Sequence, residues 1–104
     1  MAQHFIKLDK ARSSFVDELR LDVSPGDTIQ FESEDGDFAI YIINAISFLS
    51  IKEPDLKERV NAATTISPVY TVQMPTVEEE IIYSVYCITD NNWPAAPPRI
   101  IIVV

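Results

Sequence analysis

Apolar and polar side chains take turns along much of this chain, and a period of two is a pattern that a helix cannot bury on one face. Leu19, Leu21 and Val23 alternate with Glu18, Arg20 and Asp22. Further on, Ile81, Tyr83, Val85 and Cys87 share one parity, while Ile82, Ser84, Tyr86 and Ile88 share the other. Composition agrees: Ile, Val and Thr supply 14, 9 and 6 of the 104 residues, and such β-branched side chains are stiff at χ1 and pack well on a pleated surface. A chain of this length holds one core, so residues 1–104 are read as a single domain.

Turn residues divide the pattern into segments. Strands are expected over residues 4–8, 15–23, 28–33, 38–48, 69–74, 80–89 and 99–104. Ser24-Pro25-Gly26-Asp27 is a turn signal, because Pro presets φ and Gly accepts positive φ, and it predicts a hairpin between the second and third strands. Residues 38–48 are apolar on both parities, which predicts a central strand covered on both sides or one that changes partner. Pro54, followed by Asp55, Leu56, Glu58 and Val60, predicts a crossover helix of two turns: Pro suits the first helical position, acids suit the positive end, and Leu56 and Val60 lie one turn apart. A turn is expected near Pro75, and residues 90–98, with three prolines that lack donors, form a long loop. The spacing predicts an all-β Greek-key β-sandwich of about seven strands with one short crossover helix.

Sixteen acids against eight bases give a net charge of −8, a surface that repels phosphate backbones and anionic lipid heads, so neither nucleic acid nor membrane is expected as a partner. Residues 13–37 alone hold Asp17, Glu18, Asp22, Asp27, Glu32, Glu34, Asp35 and Asp37 against one base, Arg20. That run reads as a solubilising surface, with a cation or a basic partner as the alternative user of its field. The N-terminus has no apolar run of signal-peptide length and no stretch approaches a membrane span, so a soluble chain is expected, cytoplasmic if its N-terminus is native. Cys87 is the only cysteine, so an internal disulfide is impossible.

In the order and spacing of three segments the chain resembles the cupredoxin family. Pro25-Gly26-Asp27-Thr28-Ile29-Gln30-Phe31 is similar to a turn and strand of that family, the expected crossover sits mid-chain, and Tyr83-Ser84-Val85-Tyr86-Cys87 followed by a loop and Arg99-Ile100-Ile101-Ile102-Val103-Val104 is similar to its last two strands. The resemblance covers about residues 15–104. An immunoglobulin-like sandwich also claims Tyr86-Cys87, but it lacks a partner cysteine and a tryptophan on an earlier strand. What the cupredoxin resemblance implies is electron transfer through copper held by two histidines, a cysteine and a weak axial ligand such as methionine. Cys87 matches the cysteine, but no histidine stands near residues 37–40 and residues 88–98 contain neither His nor Met. The sole histidine, His4, lies in the first strand, so the resemblance points to a domain without the metal, and no metal or other cofactor is expected.

Cys87 shares a parity with Ile81, Tyr83 and Val85, which marks it as a small hydrophobe; a thiol nucleophile or redox group is the alternative. Glu32, Glu34, Asp35, Gly36 and Asp37 lack the spacing of a twelve-residue calcium loop and read as a solvated turn. Glu78-Glu79-Glu80 reads as a charged guard against edge pairing. Gly26 and Gly36, the only glycines, lie too far apart for a phosphate-cradling loop. Catalytic residues are therefore not expected. The binding candidates are Trp93, Asn91 and Asn92 in the proline-shaped loop, where Trp93 either caps the open end of the core or offers a rigid docking face. The expected function is a noncatalytic, metal-free binding or assembly module for a protein or small ligand, with homo-oligomerisation possible; the alternatives are a small thiol or redox protein using Cys87 and an immunoglobulin-like interaction domain.

Overall fold

A computed structural model describes residues 2–61, 67–73 and 79–103. Among these residues the chain forms nine strands, β1 (Gln3–Asp9), β2 (Arg20–Val23), β3 (Thr28–Asp35), β4 (Phe38–Ile42), β5 (Leu56–Val60), β6 (Tyr70–Thr71), β7 (Glu79–Ile82), β8 (Ser84–Cys87) and β9 (Arg99–Ile102), and one 3₁₀ turn at Ala45–Ser47. One layer has the order β1-β3-β6, with β1 parallel and β6 antiparallel to β3. The second layer contains β2-β9-β7 and β5-β4-β8. These two halves are continuous because β7 and β8 are one extended run interrupted only at Tyr83, the first half pairing with β9 and the second with β4. The architecture is an all-β Greek-key sandwich in which the chain passes repeatedly from one layer to the other.

The core lies between the layers. Ile6 and Leu8 of β1 face Ile29, Phe31 and Ser33 of β3 across the sandwich from Val23, Ile40, Ile42, Val85, Ile100 and Ile102, all buried. Phe31 sits at the centre, its ring edge-on to Tyr70 at 6.4 Å and to Tyr83 at 6.1 Å. Each fully buried Phe, Ile or Leu here contributes about 1.5–3 kcal/mol of transfer free energy. The inward parity read for residues 80–89 holds: Tyr83, Val85 and Cys87 are buried, and Ile81 packs against the same core.

Two expected elements are corrected. Residues 15–23 and 28–33 do not form a hairpin, because β2 pairs in parallel with β9 and β3 pairs in parallel with β1. The Pro25-Gly26 turn exists, with Gly26 at φ 91 and the Asp27 amide donating to the Ser24 carbonyl at 3.0 Å. It carries the chain between layers because its other groups are bound elsewhere: the Gly26 amide donates to Val72 and the Asp27 carbonyl accepts from Val72. The expected crossover helix is strand β5, fully paired with β4. Leu56 and Val60 are four apart, a spacing that fits a helical turn and one face of a strand equally well. Glu58 decides between them. It shares the inward parity with both, and its carboxylate is satisfied there by the Tyr70 hydroxyl at 2.6 Å, a partner brought by β6 and invisible to local pattern. Asp55, expected in the first helical turn, instead accepts from the Asn44 amide at 2.7 Å and the Tyr41 hydroxyl at 2.9 Å.

Boundaries move as well. The expected strand over 15–23 is regular only from Arg20, and the one over 38–48 stops at Ile42, where Asn44 takes φ 56 and the 3₁₀ turn begins. Only Tyr70–Thr71 of the expected 69–74 strand pairs regularly; residue 74 and the turn at Pro75 lie outside the described residues.

Candidate functional site

β3 leads through Gly36 into β4, so the end of the sandwich at Asp35 and Phe38 is also the end at which β8 finishes, with Cys87 directly across from Phe38. The turn is tight. Gly36 has φ 106, and a Cβ there would meet the Phe38 ring at 3.2 Å, so a side chain at this position is disfavoured on both counts. The Phe38 ring packs against Phe15 with centroids 5.8 Å apart. Phe15 holds φ 63, a conformation costing a non-glycine residue roughly 1–2 kcal/mol. It is fixed by its own amide, which donates to Arg12, and by its carbonyl, which accepts from Asp9. Two aromatic rings thus close this end of the core.

The loop after β8 is equally fixed. Cys87 and Asn92 exchange both main-chain hydrogen bonds, at 2.9 and 3.1 Å, so Ile88–Asn91 is a four-residue turn, with Asn91 at φ 51. Asn and Gly are the residues that tolerate this region best. The Ile88 amide donates to the Asp37 carbonyl, and the Thr89 hydroxyl accepts from the Asp37 amide at 2.9 Å. Further along, the Ala95 amide donates to Ser13, and the Pro98 carbonyl accepts from Tyr83. Trp93 stands between these ties, 62% exposed. Its ring meets the Tyr86 ring edge-on at 4.7 Å, and the Tyr86 hydroxyl donates to the Asn91 carboxamide oxygen.

Of the sequence candidates, Trp93 and Asn91 therefore meet around Tyr86, while Asn92 contributes through its main chain and leaves its side chain exposed. The capping role considered for Trp93 does not hold, because Phe15 and Phe38 close the core and the indole lies outside it. Tyr86 was not singled out from sequence, although its outward parity in the 80–89 pattern was the available signal. Asp37 and Arg59 also join the site's rim. The Arg59 guanidinium binds Asp37 through two nitrogens, one at 3.1 Å and the other at 2.5 Å, and holds that carboxyl below its usual range.

Cys87 is fully buried, as its parity predicted. His4 sits far from it. In register His4 pairs with Ile29 near the start of β3, whereas Cys87 lies at the end where β3 stops, a separation of about 20 Å along the strand. The imidazole is bound by its Nε2 to the Asp27 carboxylate at 2.8 Å. Asp27 also accepts from the Ala2 and Ser24 amides, at 2.9 and 3.0 Å, and these donors lower its pKa to about 2. Among the described residues, no group of three or more His, Cys, Asp and Glu side chains is placed to hold a metal. A thiolate and imidazole copper set does not fit: the sequence has one histidine, and it stands at the opposite end from the thiol.

Parallel β1–β3 and β2–β9 pairs, a strand shared between two sheet halves and a buried cysteine at its end together define a cupredoxin-like fold. Solved structures agree. The chain is similar to a proline-to-glycine mutant of amicyanin in its reduced Cu(I) form at pH 4, with 14% identity, a TM-score of 0.59, and coverage of 95% of this chain and 80% of that one. An oxidized methionine-to-lysine mutant of amicyanin matches over the same shares at 14% identity and TM-score 0.59, and a reduced tryptophan-to-tyrosine mutant does so at 15% and 0.56. No family model and no curated protein matches the chain.

Proposed function

We propose that this domain is a noncatalytic binding or assembly module of cupredoxin-like fold that docks through the outside of its Cys87 end. The observation that carries this reading is Trp93, an exposed indole packed edge-on against Tyr86 in a loop pinned at Cys87–Asn92, Ala95 and Pro98. A preformed aromatic surface loses little conformational entropy on docking, and Trp and Tyr are the side chains most often found at the energetic centre of an interface. Asn91 and Asn92 supply polar groups at its edge. The thiol alternative is weaker, because Cys87 is fully buried beside Phe38 on the neighbouring strand and the one histidine stands at the other end of the sandwich. Native mass spectrometry of the protein isolated from its own cells, beside Trp93→Ala prepared in the same way, tests the reading. A bound partner or ligand that is lost in the variant supports it. An adduct that survives in Trp93→Ala, or a metal retained through Cys87, overturns it.

A further inference from the structure

An inward position on an edge strand carries a carboxylate. β5 borders the second layer, with β4 on one side and, among the described residues, no strand on the other. Its inward parity runs Leu56, Glu58, Val60, a place where acids are rarely kept unless they are paired. The Tyr70 hydroxyl donates to Glu58 Oε2 at 2.6 Å, and among the described residues it is the only hydrogen-bond partner of that side chain. Oε1 keeps its acceptor capacity, since a carboxylate offers about four acceptor sites over its two oxygens.

Tyr70 belongs to β6, at the edge of the first layer. Residues 49–51 run beside that strand, where Leu49 bridges Val72 and the Ser50 amide donates to the Thr71 carbonyl at 3.0 Å. Where this edge faces β5, the sandwich opens into a cavity of about 170 Å³ lined by Glu58, Tyr70, Leu56 and Ile51. A whole drug-sized ligand takes roughly 300–1,000 Å³, so this space suits one short chain ending in a polar group.

The rest of the lining is Lys52, Glu53, Asp55 and Lys57. Lys57 holds its ammonium over the Tyr41 ring, 5.8 Å from the centroid, and Asp55 is engaged by the Asn44 amide and the Tyr41 hydroxyl. Among the described residues neither lysine forms an ion pair with Glu58. The cavity therefore presents a carboxylate without a counter-ion, in a chain of net charge −8 whose field draws cations in. The geometry also selects among cations. A guanidinium is best held by both oxygens of one carboxylate, and here Tyr70 occupies one of them. A single free oxygen beside an aromatic ring and aliphatic walls suits an ammonium on a methylene stem.

We propose that this cavity binds a primary alkylammonium group, with Glu58 as its counter-ion, Tyr70 fixing Glu58, and Ile51 and Leu56 as walls for the stem. The site is separate from Trp93, and its failure leaves the docking reading untouched.

Titration of the ¹⁵N-labelled chain with n-butylammonium chloride at constant ionic strength, followed by NMR, tests it. The expected result is saturable shifts centred on Tyr70, Ile51 and β5, with a Kd on the order of 1–10 mM. Glu58→Gln, which still accepts from Tyr70, weakens binding by about tenfold or more. n-Butylguanidinium binds less tightly than n-butylammonium, and Tyr70→Phe, by freeing Oε2, narrows that gap. Nα-acetyl-lysine N-methylamide separates the sources of the group: affinity equal to n-butylammonium assigns a lysine side chain of a protein partner, and its exclusion assigns a free amine. Shifts that stay linear to roughly 100 mM, or an affinity unchanged in Glu58→Gln, overturn the site. Should Glu58→Gln fail to fold, Tyr70→Phe decides, and a preference for ammonium that this variant leaves unaltered overturns it as well.

Discussion

The two ends of the sandwich are closed by opposite chemistry. At the end where β1 begins, the Asp27 carboxylate gathers the Ala2 and Ser24 amides and the His4 imidazole. At the other end, the Phe15 and Phe38 rings pack together, and the fully buried Cys87 lies across from Phe38 on the neighbouring strand. A cupredoxin-like fold thus has its polar convergence at one end and its cysteine at the other. The difference bears on the proposed docking: the single histidine stands at the other end from Cys87, and the proposed contact lies on the outside of the Cys87 end, at Trp93 and Tyr86.

The largest test of this contrast removes the apolar closure. Phe38→Ala leaves a cavity beneath Gly36 and beside Phe15 and is expected to cost about 3–5 kcal/mol, read from denaturant unfolding. A loss below about 1 kcal/mol would mean that the rings do not close this end. The polar end is predicted to respond to acid instead. Because the folded Asp27 pKa lies at about 2, below its ordinary value of 3.8, its contribution is fully present above pH 4 and fades as pH falls from about 4 to 2. Asp27→Asn is expected to lose on the order of 1–2 kcal/mol near neutral pH and to flatten the acid limb of the stability profile in that window. An unchanged acid limb would show that the Ala2, Ser24 and His4 contacts do not favour the carboxylate. The smallest effect is expected outside the Cys87 end. Trp93→Ala is predicted to shift stability by no more than about 0.5 kcal/mol, and the native indole emission to be red-shifted as befits an exposed ring. Earlier melting by several degrees would return Trp93 to the core.

Much of this was legible in the sequence, and the exceptions have physical causes. The parity of residues 81–88 is read directly from side-chain type, and it placed Cys87 in the core and Tyr86 outside. The Pro25-Gly26 turn was equally local. What local pattern does not encode is which strand lies beside which: β2 satisfies its alternation as well against β9 as against β3, and the bonds of the turn between β2 and β3 to the Val72 main chain, with those of the Asp27 carboxylate to Ala2 and His4, come from outside any hairpin. The mistaken helix has the same origin, since Leu56 and Val60 fit both periods and the decisive Glu58–Tyr70 bond spans 12 residues. The aromatic closure was also hidden, because a Phe15 at φ 63 contradicts its local propensity and is sustained by contacts from Asp9, Arg12 and Phe38.

The central claim is that the cysteine end of this cupredoxin-like fold is a closed apolar core in which the described residues assemble no metal set. Titrating the folded protein with Cu(II) while following its absorption spectrum, then measuring the rate at which Cys87 reacts with a disulfide reagent, tests it most directly. The account predicts no intense thiolate-to-copper band and a native thiol that reacts only as fast as the protein opens. A stoichiometric, deeply coloured complex formed without unfolding, or a native thiol as reactive as the denatured one, would contradict it.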